Sequence, residues 1–250
     1  MTSVIIPVHN AAAYIEKAIE SVRHQTDTDW ELIIVDDHST DNSVEIIRGI
    51  IARSPENISL ITREKGGSAA RARNDGIDAA MGRYIAFLDA DDLWYPDKLK
   101  KTLAMMSEKE AGFAFTAYAF GDEEARPTGK EVHVPETLAF REALSRTVIF
   151  TSTVVFDTER IAKKWMKMPE IESEDTATWW RILRRGATAY GLNEVLTVYR
   201  RAGKSLSSNK LVAVRRIWKL YRDPGVGDLS VMSSLRYFFD WAVRATLRRL

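Results

Sequence analysis

Tyr84-Ile85-Ala86-Phe87-Leu88-Asp89-Ala90-Asp91-Asp92 is an apolar run that ends in three carboxylates. Its length and composition predict a buried strand. Aspartate is depleted in strands, so the acids belong just past the strand's carboxyl end. In open α/β sheets that edge is where ligands bind. Asp89 and Asp91 are one residue apart and can face one point. Two hard oxygen donors so spaced suit Mg²⁺ or Mn²⁺ carried with a substrate phosphate. An acidic turn that also caps the next helix explains the same residues.

The chain before this stretch alternates strands and helices. Ser3 to Val8, Glu31 to Val35 and Ile58 to Ile61 read as strands. Pro7 marks the end of the first, because proline cannot donate to a ladder. Helical spacing predicts a helix over 11–25, capped by Asn10, and another opened by Ser39 or Thr40. A third runs from Ser68 to Ala80, with Gly82 ending it in a left-handed conformation. This alternation predicts an α/β fold with a mostly parallel central sheet flanked by helices. Its strand ends, bearing Pro7, Asp37 and Asp89, gather on one edge. No Gly-x-Gly-x-x-Gly follows the first strand and no P-loop sequence occurs. Dinucleotide and P-loop readings therefore lose their main support.

Downstream, Pro96 opens a helix to Glu110, and Ala111 to Tyr118 is a fifth strand. Residues 121–135 read as a hairpin or excursion, Thr137 to Arg146 as a short helix and Thr153 to Phe156 as a strand. Thr158 begins another helix. Glu172-Ser173-Glu174-Asp175 is a second acidic cluster, opening a helix that Gly186 stops. Short strands follow over 189–200, then a Gly/Ser/Asn loop at 202–209. Two basic amphipathic helices close the chain, at 209–222 and 230–249. The expected organisation is one α/β unit over 1–200, divided into the regular alternation of 1–110 and the remainder over 111–200, followed by a loop and helical extension over 201–250.

Composition narrows the chemistry. The 250 residues contain no cysteine, which excludes disulfides, thiolate metal sites and a cysteine nucleophile. The histidines, His9, His24, His38 and His133, lack metal-ligand spacing. The opening residues show no signal-peptide pattern, and no run approaches the roughly 20 apolar residues of a spanning helix. A cytoplasmic location is expected. The net charge of +1 hides a basic end: residues 200–250 hold 12 Lys/Arg against 3 Asp. Such a tail suits an anionic partner, or is a solvated helix face.

The acidic sites and their contexts, taken together, resemble the nucleotide-sugar glycosyltransferases of family 2. The matching stretches are Val4-Ile5-Ile6-Pro7-Val8-His9-Asn10, Glu31 to Asp41 through Asp36-Asp37, Gly67 before Ala72-Arg73-Asn74-Asp75-Gly76, Phe87 to Asp92, and Glu174-Asp175 followed by Trp179 and Arg181. The resemblance covers residues 2 to about 200 and implies the GT-A fold. It implies that Asp37 hydrogen-bonds the nucleotide base, usually uracil, and that Pro7, Val8 and Gly67 lie against the nucleoside. Asp89 would hold ribose or sugar, and Asp91, with Asp89, the Mn²⁺ or Mg²⁺ that bridges the diphosphate. Asp175 would be the general base of an inverting reaction, with Glu174 supporting the acceptor side. Arg71 and Arg73 are candidates for the base or diphosphate, or are solvated helix residues. Trp179 and Trp180 line a sugar pocket or are plain core. Asp36 and Asp92 read as structural.

The resemblance further implies a UDP-sugar donor, a glycan or lipid-diphosphate acceptor and a role in bacterial surface polysaccharide assembly. Absence of Gln-x-x-Arg-Trp and of spanning segments implies a non-processive enzyme. Arg200 or Arg201 and Lys204 stand where members carry a loop that closes on the diphosphate; a surface basic loop explains them equally. The C-terminal aromatic residues interleaved with arginine suit a membrane interface, at the inner face of the cell membrane, through 209–250. Packing on the catalytic body or a second subunit explains them equally. Nucleic acid is a poorer partner, because no binding motif accompanies the charge. A nucleotidyltransferase and a non-catalytic binding protein are the competing functional readings.

Overall fold

The computed structural model describes residues 1–53, 57–146, 148–201 and 210–247. Its first half follows the predicted alternation. Strands β1 (Thr2–Val8), β2 (Trp30–Asp36), β3 (Ile58–Thr62) and β4 (Tyr84–Phe87) alternate with helices α1 (Ile15–Arg23), α2 (Ser43–Arg53) and α3 (Ala69–Ala79). These strands are parallel, in spatial order β3-β2-β1-β4. Their side chains divide between two cores. Ile5, Ile33, Val35, Ile85 and Phe87 face one side of the sheet, while Val4, Ile6, Leu32, Ile34 and Ala86 face the other. That is the period-two alternation of strands buried on both faces.

The second half completes the sheet. Short β5 (Leu93–Trp94) and α4 (Lys98–Glu108) precede β6 (Phe113–Gly121), β7 (Pro127–Val132), β8 (Thr137–Leu138) and α5 (Phe140–Ala143). Then come β9 (Val155–Asp157), α6 (Lys163–Met166), α7 (Glu174–Arg184) and β10 (Ala189–Arg200). The order continues β4-β9-β6-β10-β5. β9 runs antiparallel between β4 and β6, so its beginning lies at the edge where β4 ends. The segment just before it, a 3₁₀ turn over Thr151–Thr153, is thereby delivered to the edge where the parallel strands end.

Several local expectations are corrected. Asn10 does not cap α1, which starts after Tyr14. It adopts φ 51° and its Oδ1 accepts from the Thr40 N–H at 2.8 Å, binding the first loop to the second. Ser39 and Thr40 do not open α2; that helix begins at Ser43, whose hydroxyl accepts from the Ala11 N–H. Gly82 is not a left-handed cap, since α3 already ends before Ala80. It is packed instead, and a Cβ there would lie 2.7 Å from the Ser3 nitrogen. Thr137 to Arg146 is split between β8 and α5, and the helix expected at Thr158 waits until Lys163. Ala189 to Arg200 is one strand, irregular between Leu192 and Thr197. Gly186, with φ 95°, does end the preceding helix.

Helices α8 (Lys210–Arg222) and α9 (Val231–Leu247) close the described chain. α8 packs on the α/β body. Ile217, Leu220 and Tyr221 enter the core, Tyr221 stacks on Trp180 at 5.4 Å, and its hydroxyl donates to the Leu144 carbonyl. Along α9, Met232, Leu235, Phe239 and Val243 remain exposed. Among the described residues no helix is long and apolar enough to cross a membrane.

Gly76 is where α3 comes closest to β1: a Cβ there would collide with the Ile5 side chain. Overpacking of this kind costs about 1–3 kcal/mol. Gly76→Ala is therefore expected to lower the thermal midpoint by several degrees, read by calorimetry; an unchanged midpoint would show that α3 can shift freely.

Candidate active site

The ends of β1, β2 and β4 and the start of α3 enclose a cleft of about 420 Å³. Pro7, Val8, His9, Asn10, Tyr14, Asp37, Ala69, Ala72, Arg73, Asp89, Ala90 and Asp91 line it. Pro7 does not end the first strand, which runs on to Val8, and the backbone there is anchored from β2: the Asp37 N–H donates to the Val8 carbonyl (2.7 Å), and His9 Nδ1 lies 2.9 Å from the Asp37 carbonyl.

Asp37 is only 7% exposed, and its carboxylate is well held. Arg63 Nη1 donates to Oδ1 (2.5 Å), and the Gly67 N–H reaches both oxygens at 3.0 and 3.1 Å. Arg63 also pairs with Asp75. A carboxylate offers about four acceptor positions, so capacity remains for a ligand donor. Gly67 does not line the cleft. A Cβ there would meet Arg71 Cδ at 2.7 Å and Arg63 Nη1 at 2.9 Å, so a larger residue would push these two arginine side chains aside. Asp36 is structural, its Oδ2 accepting from the Ser39 N–H.

Arg73 is the centre of the acidic cluster. Its side chain is 6% exposed; Nη2 donates to Asp89 Oδ1 (2.6 Å) and Nη1 to Glu174 Oε1 (2.9 Å). Burial alone would lower its pKa, but the Asp89 and Glu174 charges outweigh this and raise it. For Glu174 the balance falls the other way: desolvation raises its carboxyl despite the Arg73 charge. Arg71 instead pairs with Glu170 at 2.6 Å and is half exposed.

The three acids after β4 have different fates. The Asp89 N–H donates to Ser152 Oγ (3.0 Å). Asp92 is fully buried, accepting from Ser152 Oγ (2.5 Å) and the Arg200 N–H (3.1 Å). Burial, then the Asp89 and Asp91 charges, push its carboxyl well above the usual range, which agrees with a structural role. Asp91 opens toward the cleft, and no described side chain donates to its carboxylate. Although the residue is exposed, neighbouring protein atoms, then the Asp89 charge, raise its pKa, and the Arg200 charge opposes them. A carboxylate that opens to the cleft beside a second one fits a hard divalent cation. Among the described residues no group of three acidic or imidazole side chains closes on one point. A cation here would take its remaining ligands from phosphate and water.

Asp175 lies in the first turn of α7. Its Oδ1 accepts from the Thr176 N–H (2.6 Å) and its Oδ2 from Thr151 Oγ1 (3.1 Å). Ser173 adopts φ 59° and its side chain makes no cap. The expectation that Trp179 lines a sugar pocket is corrected: it is 2% exposed, packed between Phe87, Phe113 and Phe156. Trp180 is core too. Arg200 is buried, its Nε donating to the Asp91 carbonyl (2.6 Å) and its guanidinium 4.5 Å from the Tyr14 ring centre. Arg201 is exposed beside Phe120. Lys204 and the loop 202–209 lie outside the described residues.

Sequence reasoning missed Arg63, Ser152 and Thr151. Arg63 had a usable signal, standing just beyond a strand on the same sheet edge as Asp37. The two hydroxyls carried none.

Solved structures share this architecture. Staphylococcus aureus TarS 1–349 in complex with UDP-GlcNAc superimposes with a TM-score of 0.69 at 21% identity, over 97% of this chain and 72% of that one. The Pyrobaculum calidifontis mannosyltransferase PcManGT, in complex with GDP-Man and Mn²⁺, gives 0.68 at 19%, over 98% and 73%. The architecture is the GT-A fold, a glycosyltransferase fold. The sequence model described as "Glycosyl transferase family 2" matches residues 3–168, and the chain belongs to that family. The Bacillus subtilis (strain 168) protein named "Putative teichuronic acid biosynthesis glycosyltransferase TuaG" is 40% identical over all of this chain and 98% of its own. Escherichia coli WfgD, named as a UDP-Glc:α-D-GlcNAc-diphosphoundecaprenol β-1,3-glucosyltransferase, is 33% identical over 89% and 86%.

Removing the central cation should expose the strain among these acids. Arg73→Met leaves Asp89 and Glu174 uncompensated, at a cost of about 3–5 kcal/mol. Without Arg73 the Glu174 carboxyl, already raised, rises further. A carboxyl raised in the folded state binds its proton more tightly there than in the unfolded chain. Its contribution is therefore present in acid and lost as pH rises through the folded value. Thermal melts at about pH 5 and about pH 8 should show the variant's deficit shrinking at the lower pH. A deficit that grows in acid would contradict the assignment.

Proposed function

We propose that this protein is an inverting, non-processive, divalent-cation-dependent enzyme that moves one sugar from a UDP-sugar to a lipid-diphosphate-linked or other glycan acceptor in bacterial surface polysaccharide assembly. The observation that carries this reading is the linkage of the acids. Asp37, Asp89 and Asp91 line one cleft, and Arg73 joins Asp89 to Glu174, the neighbour of Asp175. The names of TuaG and WfgD support the pathway and the acceptor class.

Each residue then has a distinct task. Asp37, oriented by Arg63 and Gly67, accepts from the uracil N3–H, while Pro7 and Val8 bound the nucleoside. Asp89, steadied by Arg73, receives ribose or sugar hydroxyls. Asp91, with the free capacity of Asp89, holds Mn²⁺ or Mg²⁺, which when bound neutralises charge on the diphosphate as a Lewis acid. Asp175 takes the proton of the acceptor hydroxyl as that oxygen bonds to the anomeric carbon. The anomeric C–O bond to UDP breaks with its electron pair leaving on the diphosphate, and one displacement inverts the centre. Residues 1–110 would supply the donor side and 111–200 the acceptor side. The exposed stripe Met232, Leu235, Phe239 and Val243, with Arg236 alongside, suits an interfacial helix that keeps the enzyme beside lipid acceptors.

The direct test is UDP or GDP release from a panel of nucleotide sugars, with and without Mn²⁺. Release from a UDP-sugar that a chelator abolishes is expected; release from GDP-sugars alone would overturn the donor assignment. Asp175→Asn should retain UDP binding and lose transfer by roughly 10²–10⁴-fold, the contribution typical of a positioned base. Wild-type turnover in that variant would remove Asp175 from the mechanism. Asp91→Ala should abolish the Mn²⁺ dependence of UDP affinity in calorimetry; an unchanged dependence would place the cation elsewhere.

A further inference from the structure

Four aromatic rings stand at the carboxyl edge of the sheet and belong to neither core. Tyr118 and Phe120 end β6, Tyr199 ends β10, and Phe150 immediately precedes the 151–153 turn. Phe120 and Tyr199 are register partners on adjacent strands. The ring centres are 4.4 Å apart for Phe150–Tyr199, 5.1 Å for Tyr118–Phe150 and 5.6 Å for Phe120–Tyr199. All four side chains are half-buried. A cluster of this size, kept partly in water beside a catalytic edge, presents apolar surface that a ligand can cover.

Its two ends differ chemically. At one end, Phe150 adjoins Thr151, whose hydroxyl donates to Asp175, and Tyr199 adjoins Arg200, which binds the Asp91 carbonyl. At the other, two exposed cations flank the Phe120 ring: Arg201 Cζ at 5.3 Å and Lys130 Nζ at 5.8 Å from its centre. A pyranose ring suits the middle, because its C–H faces pack on aromatic rings while its hydroxyls reach outward. A phosphoryl group suits the cationic end, where a guanidinium offers paired donors to its oxygens.

We propose that Tyr118, Phe120, Phe150 and Tyr199 form the acceptor platform, and that Arg201 and Lys130 hold a phosphoryl group borne by the acceptor sugar. The acceptor class is then a sugar phosphate or diphosphate ester, lying with its nucleophilic hydroxyl toward Asp175 and its phosphate away from it. The proposal rests on the transfer reading above.

The test uses octyl diphosphates of glucose, galactose, N-acetylglucosamine and N-acetylgalactosamine. The corresponding sugar 1-phosphates and the octyl glycosides without phosphate serve as comparison probes. Each is titrated into the full-length enzyme with UDP-sugar and Mn²⁺, for wild type, Phe150→Leu, Tyr199→Leu and Arg201→Gln. An octyl diphosphate should accelerate UDP release saturably. Both leucine variants should raise the acceptor KM about tenfold while kcat falls much less. Arg201→Gln should raise KM for phosphorylated probes and leave that of the octyl glycoside as it was. Equal KM for the sugar 1-phosphate and the octyl diphosphate assigns recognition to the phosphoryl group itself; a lower KM for the diphosphate alone assigns it to the lipid-type ester. Leucine variants that melt like wild type and keep its acceptor KM overturn the platform. An octyl glycoside as good as the diphosphate overturns the phosphoryl site. Calorimetry of the same probes with the UDP-bound enzyme reads the platform without turnover. Absent UDP release then condemns the transfer reading, whereas absent binding of every probe condemns the platform.

Discussion

The Arg73 guanidinium is what lets the acidic side chains of this site stand together. Asp89, Asp91, Asp92, Glu174 and Asp175 converge on one sheet edge. At an effective dielectric of about 20, two unit charges 4 Å apart repel by about 4 kcal/mol. Arg73 offsets this by direct contact with Asp89 and Glu174, and it does so from inside the protein. Its place there depends on α3 lying close to the sheet. Ala70 and Ala72 are small and buried, and Gly76 lets the helix approach β1. The arginine thus converts a packing distance into an electrostatic arrangement. The same side chain joins residues sixteen and one hundred and one positions away in sequence, so the β4 end and the start of α7 share one anchor.

The readable stretches of the chain are those where one local signal decides. β1 to β4 are short apolar runs closed by turn residues, and their register follows from alternation. That Asp37 and Asp91 would stand on one sheet edge was legible because each follows a buried strand of the parallel alternation, and both line the cleft. Trp179 stayed open between pocket and core because an aromatic on an amphipathic helix looks the same facing ligand or core. Its position against Phe87, Phe113 and Phe156 depends on β4, β6 and β9 being neighbours, which no local pattern states. Asn10 shows the same limit on a smaller scale. It has the chemistry of a cap, but its partner is the Thr40 amide thirty residues on.

The basic C-terminal end is divided by its contacts. Lys219 and Arg216 pair with Glu172, and Arg184 of α7 reaches Asp228 between the last two helices. These charges fasten α8 and its connection to the body, together with the Trp180–Tyr221 stack. The charge excess read from composition is therefore partly internal. The exposed apolar residues of α9 are a separate feature. Phe239 at 73% and Met232 at 81% exposure have hydrophobic area that the body does not cover.

The 151–152 turn explains why an antiparallel strand interrupts a mostly parallel sheet. A parallel strand in the place of β9 would bring its end to the site, followed by a crossover. The antiparallel β9 brings its beginning, and with it two adjacent hydroxyls. Ser152 Oγ both accepts from the Asp89 amide and donates to Asp92, a double duty that neither a cation nor an aliphatic side chain performs. Thr151 next to it donates to Asp175. One rigid turn therefore meets the acids after β4 on one side and the acid of α7 on the other. Arg73 makes a second bridge between the same two elements through Asp89 and Glu174. Two independent ties of different chemistry, one ionic and one hydroxyl, constrain the α7 acids relative to the β4 acids more tightly than either alone.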